Sequence, residues 1–238
     1  MVLNVLGSGS SGNGYILTND SGDSIIIELG VKWDEYIRAL NYDISSVRGC
    51  LVSHCHKDHS KYINEALKSG LDVYSNTEVA KENDGVIPII QNHIYHIGSF
   101  SIQIFPLFHN VMNIGFLIDD TVSSKRLMFA TDTTKIPYRF KNVNHYIVEA
   151  NYSERVIEER YMDGHSNNSM SINHMNIEAT ADFLKHNYSS SCDNIILAHL
   201  SESNSDSKVF SDRIYQELGI MPKIAQKGLI IDLDIEEF

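Results

Sequence analysis

Cysteine is scarce in this chain of 238 residues. Cys50, Cys55 and Cys192 form no CxxC pair and no even set on which a disulfide framework could be built. A reducing cytoplasm is the expected compartment. Basic residues are few as well. Nineteen Lys and Arg against 31 Asp and Glu give a formal charge of −12 and an isoelectric point near 5.3. That balance opposes a broad electrostatic grip on a polyanion, while leaving room for a local basic rim. No apolar run approaches the roughly 20 residues needed to span a bilayer, so no membrane segment is expected. The opening Met1-Val2-Leu3-Asn4-Val5-Leu6-Gly7 has neither a basic start nor a long apolar core and reads as a strand, not a secretion signal. The Gly7–Gly14 stretch is rich in glycine and serine but lacks the lysine and following helix of a P-loop. A tight hairpin loop and a backbone cradle for phosphate are both open readings of it.

What is present is a chain with 42% apolar residues, enough for a real core. Apolar runs, with clear alternation over 100–106, predict strands over 2–6, 15–18, 24–29, 71–74, 92–97, 100–106, 114–118, 126–130, 145–149, 194–198 and 228–231. Helices are predicted over 33–40, 62–70, 177–186 with Asn176 as cap, and 206–218 closed by Gly219. Residues 151–175 are polar and irregular, and predict a long loop over the active-site face. Strands alternate with helices without repeat, linker or composition break, which predicts one α/β domain over residues 1–238.

The chemistry concentrates where the apolar Cys50-Leu51-Val52-Ser53 runs into His54-Cys55-His56-Lys57-Asp58-His59. Neutral imidazole and carboxylate oxygen are the donors that zinc, manganese and iron take. On a strand, alternation would put His54 and His56 on one face, with Asp58 and His59 available to a second ion as the chain turns away. Cys55 would then point the other way. The pattern recurs three times, with His109 after 104–108, Asp132 after 127–130 and His199 after 195–198. Ligands at the ends of adjacent strands converge on one edge of a sheet. His93, His96, His145 and His186 fall inside strand or helix patterns and read as structural or surface residues.

In the order HxHxDH, His, Asp, His, the chain resembles the metallo-β-lactamase superfamily over nearly its whole length. Gly7-Ser8-Gly9-Ser10-Ser11-Gly12-Asn13, Ala130-Thr131-Asp132-Thr133 and His199-Leu200-Ser201-Glu202-Ser203-Asn204 look like its small single-domain YycJ-like members, bacterial or phage, near the ribonuclease Z branch. The resemblance implies a four-layer αββα sandwich, two mixed β-sheets face to face with helices outside. It implies that His54, His56 and His109 hold one metal, that Asp58, His59 and His199 hold another, and that Asp132 bridges both. Glu28 stands where these relatives usually carry aspartate before glycine. The cofactors implied are two divalent ions, zinc first, with manganese or iron as alternatives. Such a pair lowers the pKa of a shared water from 15.7 toward about 7, so that a hydroxide between the ions can attack phosphorus or a carbonyl carbon. Asp58 and Asp132 would aim it.

A phosphodiester leaving group needs a proton. His174, before Met175-Asn176 and a helix, resembles the histidine that ribonuclease Z-like enzymes place before Ser or Thr, although asparagine replaces the hydroxyl residue here. His165 is the rival donor. The expected function is therefore a metal-dependent phosphodiesterase acting on a cyclic nucleotide or on a DNA or RNA end, with a homodimer usual among relatives. A thioesterase or lactonase of the same fold would need no donor at position 174. A non-catalytic nucleotide-binding protein would have no use for the complete ligand set. The charge of −12 favours a small substrate, and the kinship favours nucleic acid.

Overall fold

A computed structural model describes residues 1–162 and 173–234. The strands β1 (Val2–Gly7), β2 (Gly14–Thr18), β3 (Ser24–Ile27), β4 (Val47–Val52), β5 (Val73–Ser75), β6 (Ile87–Pro88) and β14 (Ile230–Asp232) form one sheet, ordered β14-β1-β2-β3-β4-β5-β6. The second runs β13 (Lys223–Ile224), β12 (Asn194–Ala198), β11 (His145–Glu149), β10 (Arg126–Ala130), β9 (Asn113–Asp120), β8 (Phe100–Leu107) and β7 (Tyr95–Ile97). Both are mixed. The pairs from β14 to β3 are antiparallel and those from β3 to β6 parallel. In the second sheet the pairs from β13 to β10 are parallel and those from β10 to β7 antiparallel.

Side-chain alternation builds the layers. Leu3, Ile25 and Ile27 of the first sheet meet Phe116, Phe129, Ile147 and Ile196 of the second in a buried core between them. The opposite faces carry their own helices. Ile26, Cys50 and Val52 pack against α1 (Trp33–Ala39), α3 (Ile63–Lys68) and α4 (Thr77–Glu82) through Tyr36, Ile63, Ala66 and Val79. Tyr146, Val148 and Ile195 pack against α6 (Ile177–Asn187) and α7 (Ser207–Leu218) through Ala181, Leu184, Phe210 and Ile214. This is the αββα sandwich.

Three expectations need correction. The strand carrying the histidine motif stops at Val52, so strand alternation does not pair His54 with His56; a turn carries them into the short helix α2 (Lys57–Ser60), on which Asp58 and His59 sit. The loop expected over 151–175 contains a helix, α5 (Glu154–Met162). It buries no residue and is supported by an Arg155–Glu159 pair one turn apart at 2.9 Å, so it shows no apolar stripe to read. The third strand ends at Ile27, because Glu28 has a φ of 65° and turns the chain away. His165 lies outside the described residues. Among the described residues no helix is long and apolar enough to cross a membrane.

The glycine-rich loop joins β1 to β2 and grips the metal-type motif. The Asn13 amide N–H donates to the Asp58 carbonyl at 2.7 Å, and the Gly30 N–H donates to the Asn13 carbonyl at 2.9 Å. A Cβ on Gly30 would stand 1.7 Å from the Asp58 carbonyl oxygen, which is backbone and cannot rotate away. Gly30→Ala is therefore expected to lower stability by about 1–3 kcal/mol through overpacking, read as a fall in thermal unfolding midpoint. A midpoint equal to that of the unsubstituted protein would contradict this packing.

Candidate metal centre

The carboxyl ends of β8, β10, β11 and β12 lie at one edge of the second sheet, opposite the end of β4 in the first. Each delivers a polar residue there. Asp132 and His199 do so with φ of 55° and 54°, left-handed conformations that aspartate and histidine tolerate better than most residues. Strain of this kind, ~1–3 kcal/mol per residue, concentrates where a side chain must be aimed. The edge gathers His54, His56 and His109 in one group and Asp58, His59 and His199 in a second. Asp132 joins a group with His54 and His59 and another with His199, His174 and Glu149. All eight residues singled out by sequence and covered by the structure thus meet at one place, and the described part of the chain assigns Cys55 to none of these groups.

Four of the imidazoles have a polar partner behind the ring. His54 Nδ1 lies 2.9 Å from Ser53 Oγ, and His109 Nδ1 donates to the Asn173 carbonyl at 3.2 Å. His199 Nδ1 lies 3.2 Å from Asn151 Nδ2 and 3.5 Å from Glu149 Oε1. His59 Nδ1 lies 3.4 Å from Glu28 Oε1. The opposite nitrogens face inward. His109 Nε2 is 3.2 Å from His56 Nδ1, and His59 Nε2 is 2.8 Å from Asp132 Oδ2. Buried His54 Nε2 and His199 Nε2 have no hydrogen-bond partner. Orphaned atoms of this kind are costly unless something else satisfies them. Inward lone pairs with the outer nitrogens anchored are the arrangement that metal ions require, so the donor set fits divalent ions.

Electrostatics support the fit. Burial and the neighbouring imidazoles push His54 below its ordinary pKa, and burial lowers His109, leaving both neutral. Burial also opposes charge on His59 and His199, but Asp132 with Glu28 and Asp58 raises His59 well above its usual range. Asp132, Asp58 and Glu149 likewise raise His199 to about 10. Asp58 and Asp132 are held below the usual carboxylate range, burial notwithstanding, by His199 and His59.

Sequence reasoning missed Glu149. It is fully buried at the end of β11, 2.5 Å from His174 Nδ1, and its Oε2 accepts N–H bonds from Thr133 at 2.9 Å and Met175 at 3.3 Å. Its signal was available, since it too is a ligand-type residue ending an apolar strand. Glu28, noted only as a departure, is buried behind His59, and its Oε2 accepts from the Ser53 N–H at 3.3 Å. The asparagine at 176 also has a plain role: its side chain caps α6, accepting from the Ala179 N–H at 2.8 Å, as serine or threonine would. His174 itself faces a cavity of about 430 Å³ lined also by Ser10, His56, Asp58, His109 and His199. Of the remaining histidines, His145 is buried within β11 beside Asn194, and His93, His96 and His186 are exposed.

Two mixed sheets face to face, helices outside, and a His/Asp cluster at the strand ends constitute the metallo-β-lactamase fold. The chain superposes on the metallo-β-lactamase fold protein YhfI from Bacillus subtilis with a TM-score of 0.75 at 17% identity, covering 97% of this chain and 98% of that one. It superposes on Zn²⁺-bound PqqB from Methylobacterium extorquens with a TM-score of 0.74 at 13% identity, covering 98% and 100%. In sequence it is similar to the exodeoxyribonuclease YycJ of Bacillus anthracis, 26% identical over 172 residues. That match spans 65% of this chain and 64% of the relative, less than two thirds of its length. No protein-family model matches the chain.

Metal binding to the free site must displace the protons that His59 and His199 hold. Titrating Zn²⁺ into metal-free protein near neutral pH, in weak buffer with an indicator, should release about two protons per chain. Affinity should fall as pH falls, because each of these protons must be released for the metal to bind and a higher proton concentration opposes that release. Uptake without proton release would contradict this charge balance.

Proposed function

We propose that residues 1–238 form one metal-dependent hydrolase domain that cleaves a phosphodiester in a nucleotide or at a nucleic-acid end. His54, His56 and His109 would hold one ion, Asp58, His59 and His199 a second, with Asp132 between them. The nitrogen-rich donor set suits zinc, and manganese or iron would be taken by availability. Two such ions, when bound, supply Lewis acidity and a water of lowered pKa.

The chain's own residues do the rest. Asp58 lines the cavity with its carboxylate partly open to it, and Asp132 sits at the cavity floor. Both are ionised, so both accept a hydrogen bond from an attacking water and fix its direction. His174 is the proton donor. Burial lowers its pKa, but the hydrogen bond and charge of Glu149 outweigh this and raise it above the ordinary imidazole value, which favours the protonated ring. Because Nδ1 is committed to Glu149, Nε2 is the nitrogen left to deliver a proton to the leaving oxygen. The ring is further fixed by stacking on His199, with centroids 5.3 Å apart and planes 14° from parallel.

The observation that carries the reading is this pair at the cavity wall, a buried Glu149 carboxylate behind a partly open His174. A carboxylate-anchored, protonated imidazole serves an alkoxide leaving group, whereas a thiolate departs without help. The similarity to an exodeoxyribonuclease supports the phosphodiester and a nucleic-acid end.

Leaving-group dependence tests it. His174→Ala should slow cleavage of a dinucleotide on the order of 10²–10⁴-fold and slow bis(p-nitrophenyl) phosphate far less, since p-nitrophenolate needs no proton. Chelation should abolish both activities. Equal losses on the two substrates would remove His174 from the donor role, and turnover of thioesters alone would overturn the phosphodiesterase reading.

A further inference from the structure

Behind the glycine-rich loop lies a second cleft of about 440 Å³, which the hydrolytic chemistry does not use. Lys32 from the connection between β3 and α1, Lys61 at the end of α2 and Lys227 from the turn between β13 and β14 all line it. In a chain with 12 more acidic than basic residues, three lysines from three separate segments converging on one cleft stand out. Glu35 shares the cleft and pairs with Lys227 at 2.5 Å. Lys32 and Lys61 make no ion pair among the described residues, so their charges are free for an anion. Lys61 Nζ lies over the Tyr62 ring, 5.5 Å from its centroid, and both residues line the cleft, so a cation and an aromatic ring stand together there.

The cleft and the metal centre are lined by neighbouring residues of one loop. Ser8, Ser11 and Gly12 form its wall, while Ser10 of the same loop lines the catalytic cavity. Lys61 follows Asp58 by three positions at the end of α2, a spacing that puts the two Cβ atoms about 5–6 Å apart on one helical face. The rim between the two openings is Ser8-Gly9-Ser10-Ser11-Gly12, a backbone carrying no long side chain to block a strand passing over it.

We propose that this cleft binds the sugar-phosphate backbone of a single nucleic-acid strand, holding phosphates beyond the bond cleaved at the metal centre. Lys32 and Lys61 neutralise the backbone, and Tyr62 offers a face on which a base can stack. This rests on the phosphodiesterase reading above and narrows its substrate from a cyclic mononucleotide to a polynucleotide. It also reconciles a net negative chain with a polyanionic substrate, since the positive charge is needed only along the strand's path.

The test uses the metal-loaded full chain. kcat/KM is measured for a dinucleotide, for 3′,5′-cyclic mononucleotides and for single strands of DNA and RNA about 12 nucleotides long, over roughly 50 to 200 mM salt. In Lys32→Ala/Lys61→Ala the ratio of long-strand to dinucleotide kcat/KM should fall on the order of tenfold, and the salt slope for the long strand should flatten by about 1.4, near 0.7 for each lost lysine. Lys32→Arg/Lys61→Arg keeps the charges and should keep both readouts, which separates lost charge from lost folding. An unchanged ratio and slope in the alanine variant would overturn the inference, as would cleavage of cyclic mononucleotides with none of the long strands. Those outcomes leave the phosphodiesterase reading standing. No turnover of any phosphodiester would remove that reading and this one together.

Discussion

Glu28, Asp132 and Glu149 are fully or almost fully buried, and Asp58 lies partly open beside them, so one end of the sandwich concentrates negative charge where water cannot solvate it. Moving a carboxylate out of water costs several kcal/mol unless positive charge is brought to it. The protein answers with imidazoles. His59 and His199 stand among these carboxylates and hold protons in the metal-free chain, while His54 and His109 remain neutral. The site is thereby poised between two cationic fillings, protons on two histidines or divalent ions on the whole donor set. Glu28 behind His59 and Glu149 behind His199 favour either filling, because each sets a negative charge 3.4 to 3.5 Å from the outer nitrogen of its histidine.

The two sheets exist in service of that edge. The core between them fixes β4 against β10, β11 and β12, and small errors there would be carried straight to the ligands. Left-handed backbone at Glu28, Asp132 and His199 then turns each chain segment at the last moment, so that side chains leaving different strands aim at one point. The glycine-rich loop adds a third support. Its Asn13 carbonyl and amide hold Gly30 and Asp58 together, and the Asn13 side chain reaches His59 Nε2 at 2.9 Å. What resembled a phosphate cradle in sequence is, on the metal side, a bracket for the ligand helix.

Much of this was legible because it follows local rules. Strands such as 126–130, 145–149 and 194–198 carry continuous apolar runs, and their ends are marked by the polar residue that follows. Asn176 and Gly219 announced helix ends through capping chemistry. The clustering of His54, His56, Asp58, His59, His109, Asp132 and His199 was legible because imidazole and carboxylate recur at the ends of four apolar strands. Glu149 carried the same signal at the end of 145–149 but was passed over, since a lone glutamate there also reads as a solvated boundary until the fold shows it buried beneath His174. The helix α5 was hidden for the opposite reason. It buries nothing, so no apolar period reports it, and its support is an ion pair one turn apart. The lysine cleft could not be read at all, because Lys32, Lys61 and Lys227 are brought together only by tertiary structure.

The proposed function requires this edge to be a binuclear centre assembled around Asp132. Metal stoichiometry tests it most directly. Protein dialysed against excess Zn²⁺ and then freed of unbound ion should carry two zinc ions per chain by inductively coupled plasma mass spectrometry, and Asp132→Ala, which removes the shared ligand, should lose at least one of them. A single ion or none in the unsubstituted protein, or two ions retained by Asp132→Ala, would contradict the account.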